Sequence, residues 1–157
     1  MEQIKDHVEE VPAFAYELLR DVLIPELLGK EQSSILYWAG KNLARQYPFE
    51  TVEEIVRFFD DAGWGSLSVD AERRNKMTFT LRSPMIAKPR KNKNNAAYTL
   101  ETGFLAQQIQ MIKNRVADAQ STCKSGSLGI VVEWDHKDIV DPSESESRRS
   151  RSRRRTS

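Results

Sequence analysis

Thr99–Val116, TLETGFLAQQIQMIKNRV, is the stretch that decides the fold. Leu100, Phe104, Ile109 and Ile112 recur near one face of a 3.6-residue helix, and Leu105 and Met111 widen the stripe. Gly103 stands inside it, where glycine costs about 1 kcal/mol against alanine. A helix that carries this cost points to a close backbone approach at that position. An Asn-rich polar segment precedes the helix and a strand pair follows it, so its expected place is over a sheet.

Working towards the N-terminus, KPRKNKNN (88–95) reads as a basic loop, with a solvated role or an acidic or phosphate contact left open. Before it lies a hairpin. Leu67 and Val69 alternate with serines, AERRNK turns, and Met77, Phe79 and Leu81 alternate with threonines. Ser83-Pro84 ends its second strand, and Gly63-Trp64-Gly65 breaks the helix pattern before it. Thr51 and Glu54 form a capping box for a helix running to about Asp61, with Val52, Ile55, Val56 and Phe59 apolar. A further helix is expected from about Glu31 to Gln46, with Ile35, Leu36, Ala39, Leu43 and Tyr47 as its apolar face; Gly40 and Ala44 permit a close helix contact. Pro12 suits the start of the first helix, whose stripe is Phe14, Leu18, Leu19, Val22 and Leu23; Pro25 should kink or end it, with Gly29 as a stop.

Towards the C-terminus, VADAQSTCKS and SLGIVVEWD read as the second strand pair, turning at Ser125-Gly126. Pattern stops after Asp141-Pro142. Helices segregated from hairpins give an α+β class, with helices packed on one four-stranded antiparallel twisted sheet. Residues 1–142 are expected to form a single domain, with 1–11 frayed. Residues 143–157, SESESRRSRSRRRTS, have the composition of a disordered Arg/Ser-rich tail.

The net charge of +1 conceals an asymmetry: residues 1–142 hold 18 basic and 21 acidic side chains, and the remaining six basic residues sit in the tail. A body of that sign is no nucleic-acid footprint. Arg148, Arg149, Arg151, Arg153, Arg154 and Arg155 suit contact with RNA, DNA or anionic lipid, or serve solubility alone. No apolar run approaches the roughly 18 residues of a membrane span. The N-terminus MEQIKDHVEE lacks a signal-peptide pattern, and one cysteine makes no internal disulfide. The expected address is the cytosol.

LIPELLGKEQSSILYWAGKNLARQYP, FFDDAGWGSLSV and LETGFLAQQIQ resemble the YslB-like family of uncharacterised bacterial proteins, over roughly Leu23 to Asp135. A helix with Ala-Gly, a Gly-x-Gly opening a hairpin, a GFLA helix and a Cys-x-x-Gly hairpin are similar, more widely, to the 4-vinyl-reductase small-molecule-binding domain. They also resemble the TRAPP vesicle-tethering subunits and the haem-based nitric-oxide sensors. That resemblance implies the nitric-oxide-signalling and Golgi-transport ligand-binding fold, with Gly40, Gly63, Gly65 and Gly103 as structural glycines. It implies a homodimer through helices and capture of a hydrophobic small molecule. Fold similarity does not fix function.

The departures from the wider pattern concern metal and haem. The 4-vinyl-reductase type often carries several cysteines near its last hairpin; here Cys123 stands alone, and a four-ligand zinc site needs more than it and two distant histidines. A haem sensor needs a proximal histidine within the domain, whereas His7 lies in the frayed start and His136 just past the expected last strand. No metal and no cofactor are therefore expected.

Candidate ligand-pocket residues are Leu36, Trp38, Gly40, Trp64, Phe104 and Cys123, with Tyr37 beside them. An apolar pocket and a filled core share this signature, so each is read either way. Cys123 reads as a reactive thiol, a lipid-attachment site or an inert strand cysteine. Glu53-Glu54 and Asp60-Asp61 read as solvated acids, since neighbouring helical side chains diverge by about 100°. Glu101 and Glu133 lie in apolar segments, each with a salt bridge as its default. No nucleophile, base and metal set is assembled, so the expectation is a non-enzymatic binding or interaction module. The alternative is a regulatory adaptor with a filled core that meets another protein, or nucleic acid through its tail.

Overall fold

The structure is a computed structural model and describes residues 10–88 and 98–139, with no side chains described beyond Asp135. Both the Arg/Ser-rich tail with its six arginines and most of the basic loop lie outside the described residues. Among the described residues the order is α1 (Ala13–Glu17), a π-helical turn (Leu18–Leu23), α2 (Ile24–Leu28), a 3₁₀ turn (Gly29–Glu31), α3 (Gln32–Gln46), α4 (Val52–Asp61), β1 (Ser66–Glu72), β2 (Lys76–Arg82), α5 (Pro84–Ala87), α6 (Thr99–Lys113), β3 (Arg115–Lys124) and β4 (Ser127–Ile139). The four strands form one antiparallel sheet in the order β1-β2-β4-β3. The α+β class with a helix-covered four-stranded sheet is therefore what the chain adopts.

The sheet buries one face. Leu67, Met77, Phe79, Leu81, Ala117, Leu128, Ile130, Val132 and Trp134 point to the core, while Ser68, Asp70, Asp118, Gln120 and Glu133 alternate outward. Over that core lies α6, and over α6 lies α3. Residues 101–109 of α6 are all buried, so the helix is enclosed on every side rather than along one stripe. Two of its buried polar side chains, Thr102 and Gln108, are bonded accordingly. Thr102 Oγ1 donates to the Tyr98 carbonyl at 2.9 Å, and the Gln108 amide donates to the Tyr47 carbonyl at 2.7 Å and accepts from Phe49 N–H at 3.2 Å.

Two glycines let α3 and α6 touch. A Cβ on Gly40 would stand 2.1 Å from the Leu100 carbonyl oxygen, and one on Gly103 2.0 Å from the Tyr37 carbonyl oxygen. The close approach expected at Gly103 is this crossing. The α3 side that faces it is Leu36, Gly40 and Ala44; Ile35 and Tyr47, expected on the apolar face, are exposed. The Thr51 cap forms as expected, its hydroxyl accepting from Glu54 N–H at 3.3 Å.

Three further departures have local causes. Pro25 has no N–H to close an α-turn, and the backbone ahead of it widens into the π-helical turn instead of breaking. Ser83 caps a short helix that opens at Pro84, its hydroxyl accepting from Ile86 N–H at 3.2 Å. Strand β4 continues to Ile139, pairing with Arg115, which places His136 inside the last strand and not past it. No described helix is long and apolar enough to cross a membrane.

Candidate functional site

The helix–sheet interior, where the pocket residues were expected, is packed. Phe104 is fully buried, stacks on Phe58 at 4.8 Å between centroids, and meets the Trp64 edge at 5.2 Å; Phe59 meets Trp64 at 5.0 Å. Gly40 abuts the Phe104 backbone, so Gly40, Trp64 and Phe104 do come together, around contacts rather than a void. Leu36 is buried in α3. Trp38 points away from this interior and is 64 % exposed. Cys123 is half-buried near the end of β3, packed against the edge of the core. Among the described residues no group of three or more His, Cys, Asp or Glu is placed to hold a metal.

Open space lies elsewhere. A cleft of about 560 Å³ is bounded by Ser33, Ser34 and Tyr37 of α3, Thr99 and Thr102 of α6, and residues 119–121 of β3. It lies between the N-terminal turns of α3 and α6 and the edge strand β3. Its lining carries hydroxyls and one amide, with no carboxylate, imidazole or amine. The Tyr37 hydroxyl accepts from Ala119 N–H at 3.0 Å and donates to Asp118 Oδ1 at 3.4 Å, and burial holds its phenol above the ordinary value. Together with Gln110, whose side-chain oxygen accepts from Ala117 N–H at 3.1 Å, it caps the outer edge of β3. None of the six expected pocket residues lines the cleft; its signal in the sequence is only small hydroxyl residues in the first turns of two helices.

A second feature is the arm formed by residues 13–28. Its inner side presents Tyr16, Glu17, Arg20 and Asp21 to the body. Arg20 pairs with Glu101, which is 1 % exposed, donates to the Tyr16 hydroxyl at 2.6 Å and lies 5.4 Å from the Tyr98 ring centroid. Burial pushes the Glu101 carboxyl above its ordinary range against the pull of Arg20, and its Oε2 has no hydrogen-bond partner among the described residues. Glu17 pairs with Lys88. Salt-bridge pairing was the default for Glu101 and is what the structure shows; Glu133 is exposed opposite Lys76 across the β2–β4 ladder.

A family model described as a protein of unknown function, DUF2507, matches residues 13–133. The chain belongs to this family. The matched span of DUF2507 runs from the first residue of the arm into β4, and so takes in both the arm and the cleft. An uncharacterised protein, YslB, of Bacillus subtilis (strain 168) is 40 % identical over 133 residues, covering 83 % of this chain and 90 % of that one. A crystal structure of a vinyl-4-reductase family protein from Methanocaldococcus jannaschii shares the fold at a TM-score of 0.62 and 19 % identity, covering 85 % of this chain and 87 % of that one. An unliganded Fe(II) H-NOX protein from K. algicida overlaps at a TM-score of 0.37 and 12 % identity, over 79 % of this chain and 59 % of its own, too loosely to argue from.

Proposed function

We propose that this DUF2507 protein is a non-enzymatic interaction module that works as a homodimer, its interior serving stability and its surface serving recognition. The observation that carries this reading is the contrast between inside and outside. The helix–sheet interior is filled by Phe58, Phe59, Trp64 and Phe104 in mutual contact, whereas large apolar side chains stand uncovered on the arm. Against an enzyme stands the chemistry of the cleft, in which the Tyr37 hydroxyl beside the Asp118 carboxylate is already engaged in accepting from Ala119 N–H.

A second reading, capture of a small molecule, has the cleft in its favour. Its volume falls in the usual range for ligand sites, about 300–1,000 Å³. Its hydroxyl lining favours a polar ligand over the hydrophobic one that the resemblance implies. Native mass spectrometry of the protein purified from its own cells, followed by denaturing extraction, separates these readings. The expected result is a dimer with no retained small-molecule mass. A stoichiometric lipid-sized mass would overturn the filled interior, and a polar one would move the function to the cleft.

A further inference from the structure

The arm leaves most of its apolar residues outside. Tyr16, Glu17, Arg20 and Asp21, followed by Ile24 and Leu28, face the body, while Phe14, Leu18, Leu19, Val22, Leu23 and Leu27 are 40–80 % exposed. An amphipathic helix on a protein body normally turns its apolar stripe inward. Here the inward side is fixed by charge, through Arg20–Glu101 and Glu17–Lys88. The apolar side is left for something else to cover. Of the twelve large apolar residues exposed among the described ones, the arm with Val11 before it supplies seven, and Ile35 and Trp38 on the outer side of α3 add two.

We infer that this face is covered by the same face of a second copy of the chain, the two arms packing antiparallel about a twofold axis. The inference rests on the interaction-module reading and names its partner and surface. Two observations select a second copy. The first is area. The fractional exposures of the nine residues add to about five whole large apolar side chains, enough for the apolar centre of an interface. One side of a standard stable interface buries about 800 Å². The second is self-complementarity. Phe14, Leu18 and Val22 repeat at four-residue spacing, and so do Leu19, Leu23 and Leu27, which lets one stripe interleave with its own inverted copy. An antiparallel pairing centred between Leu18 and Val22 places Leu18 against the partner arm's equivalent of Val22.

Sedimentation velocity of the full 157-residue chain across micromolar concentrations tests this. The wild type should run as a dimer of two 18.0 kDa chains. Leu18→Glu/Val22→Glu should raise the dissociation constant at least 100-fold with unchanged far-UV circular dichroism, because both side chains are exposed. Ser68→Glu, on the outer face of the sheet, should remain dimeric. In a Cys123→Ser background, Val22→Cys should give a covalent dimer with a short bis-maleimide and Ser68→Cys should not; this second readout holds if the double glutamate variant fails to fold. A glutamate variant that stays dimeric would place the interface elsewhere and overturn the inference, while the interaction-module reading stands. A wild-type monomer would overturn the second copy as occupant and with it the homodimer of the proposed function, and an apolar fluorescent dye then judges whether an interaction surface remains. Dye bound by the wild type and lost in the variant keeps an interaction surface on the arm; dye bound by neither overturns both.

Discussion

Glu101 sits at the third position of α6, fully enclosed, with Arg20 of the arm as its charged partner. Ion pairs in such places are poor sources of net stability, because desolvation offsets most of the attraction, yet removing one partner strands the other. Arg20→Met should therefore cost about 3–5 kcal/mol in urea unfolding, and Arg20→Met/Glu101→Leu should recover most of that loss. Additive losses in the double variant would show that the two side chains act separately. The pH dependence has a definite sign. Burial holds the folded Glu101 carboxyl above its ordinary 4.5, so the folded chain binds this proton more tightly than the unfolded one. That contribution is fully present below about 4.5 and is lost as pH rises through the raised value. The stability of wild type relative to Glu101→Gln should fall across that window, and a difference that rises with pH would contradict it. The sequence showed that Glu101 was an acid in an apolar helix and that a basic partner was needed. It did not show which, because Arg20 lies 81 positions away in a segment whose stripe pointed the other way.

At the scale of elements, the decisive contact is the crossing of α3 and α6 at Gly40 and Gly103. Both clashes that a Cβ would make are with the backbone of the opposite helix, so no side-chain rotation relieves them. Gly103→Ala and Gly40→Ala should each cost about 3 kcal/mol, the upper end of overpacking penalties. Because either Cβ alone forces the helices apart, the double variant should cost clearly less than the sum. Thermal melts of the three variants decide it, and strictly additive costs would break the reading of one shared contact. This crossing was legible from Gly103 in the α6 pattern and from Gly40 and Ala44 one turn apart. The enclosure of α6 was not. A helix sandwiched between α3 and the sheet buries Glu101, Thr102, Gln107 and Gln108 along with its apolar residues, and periodicity reads polar residues as an exposed side. Nor was the cleft legible, since its lining is assembled from α3, α6 and β3, which no local spacing encodes.

For the whole molecule, the arm and the body differ in what holds them. The body is locked by the aromatic cluster, the sheet and the glycine crossing, while the arm reaches it through charge pairs and the α2–α3 junction. The stripe of the first helix was legible as a stripe, but its direction was not, because a sequence records which residues share a helix face and not what covers that face. If a second copy covers it, the arm is stabilised by association and the body is not. Native-state hydrogen exchange should then show backbone amides of residues 13–28 slowing as protein concentration rises through the dissociation constant, by the fraction of chains paired. Amides in the centre of α6, from Phe104 to Ile109, should open only with global unfolding and change far less. In Leu18→Glu/Val22→Glu the arm amides should exchange fast at every concentration, while the α6 amides stay slow. Arm protection in the wild type that is already complete and independent of concentration would mean that the intramolecular charge pairs suffice to hold it, and that its apolar face contributes nothing to its order.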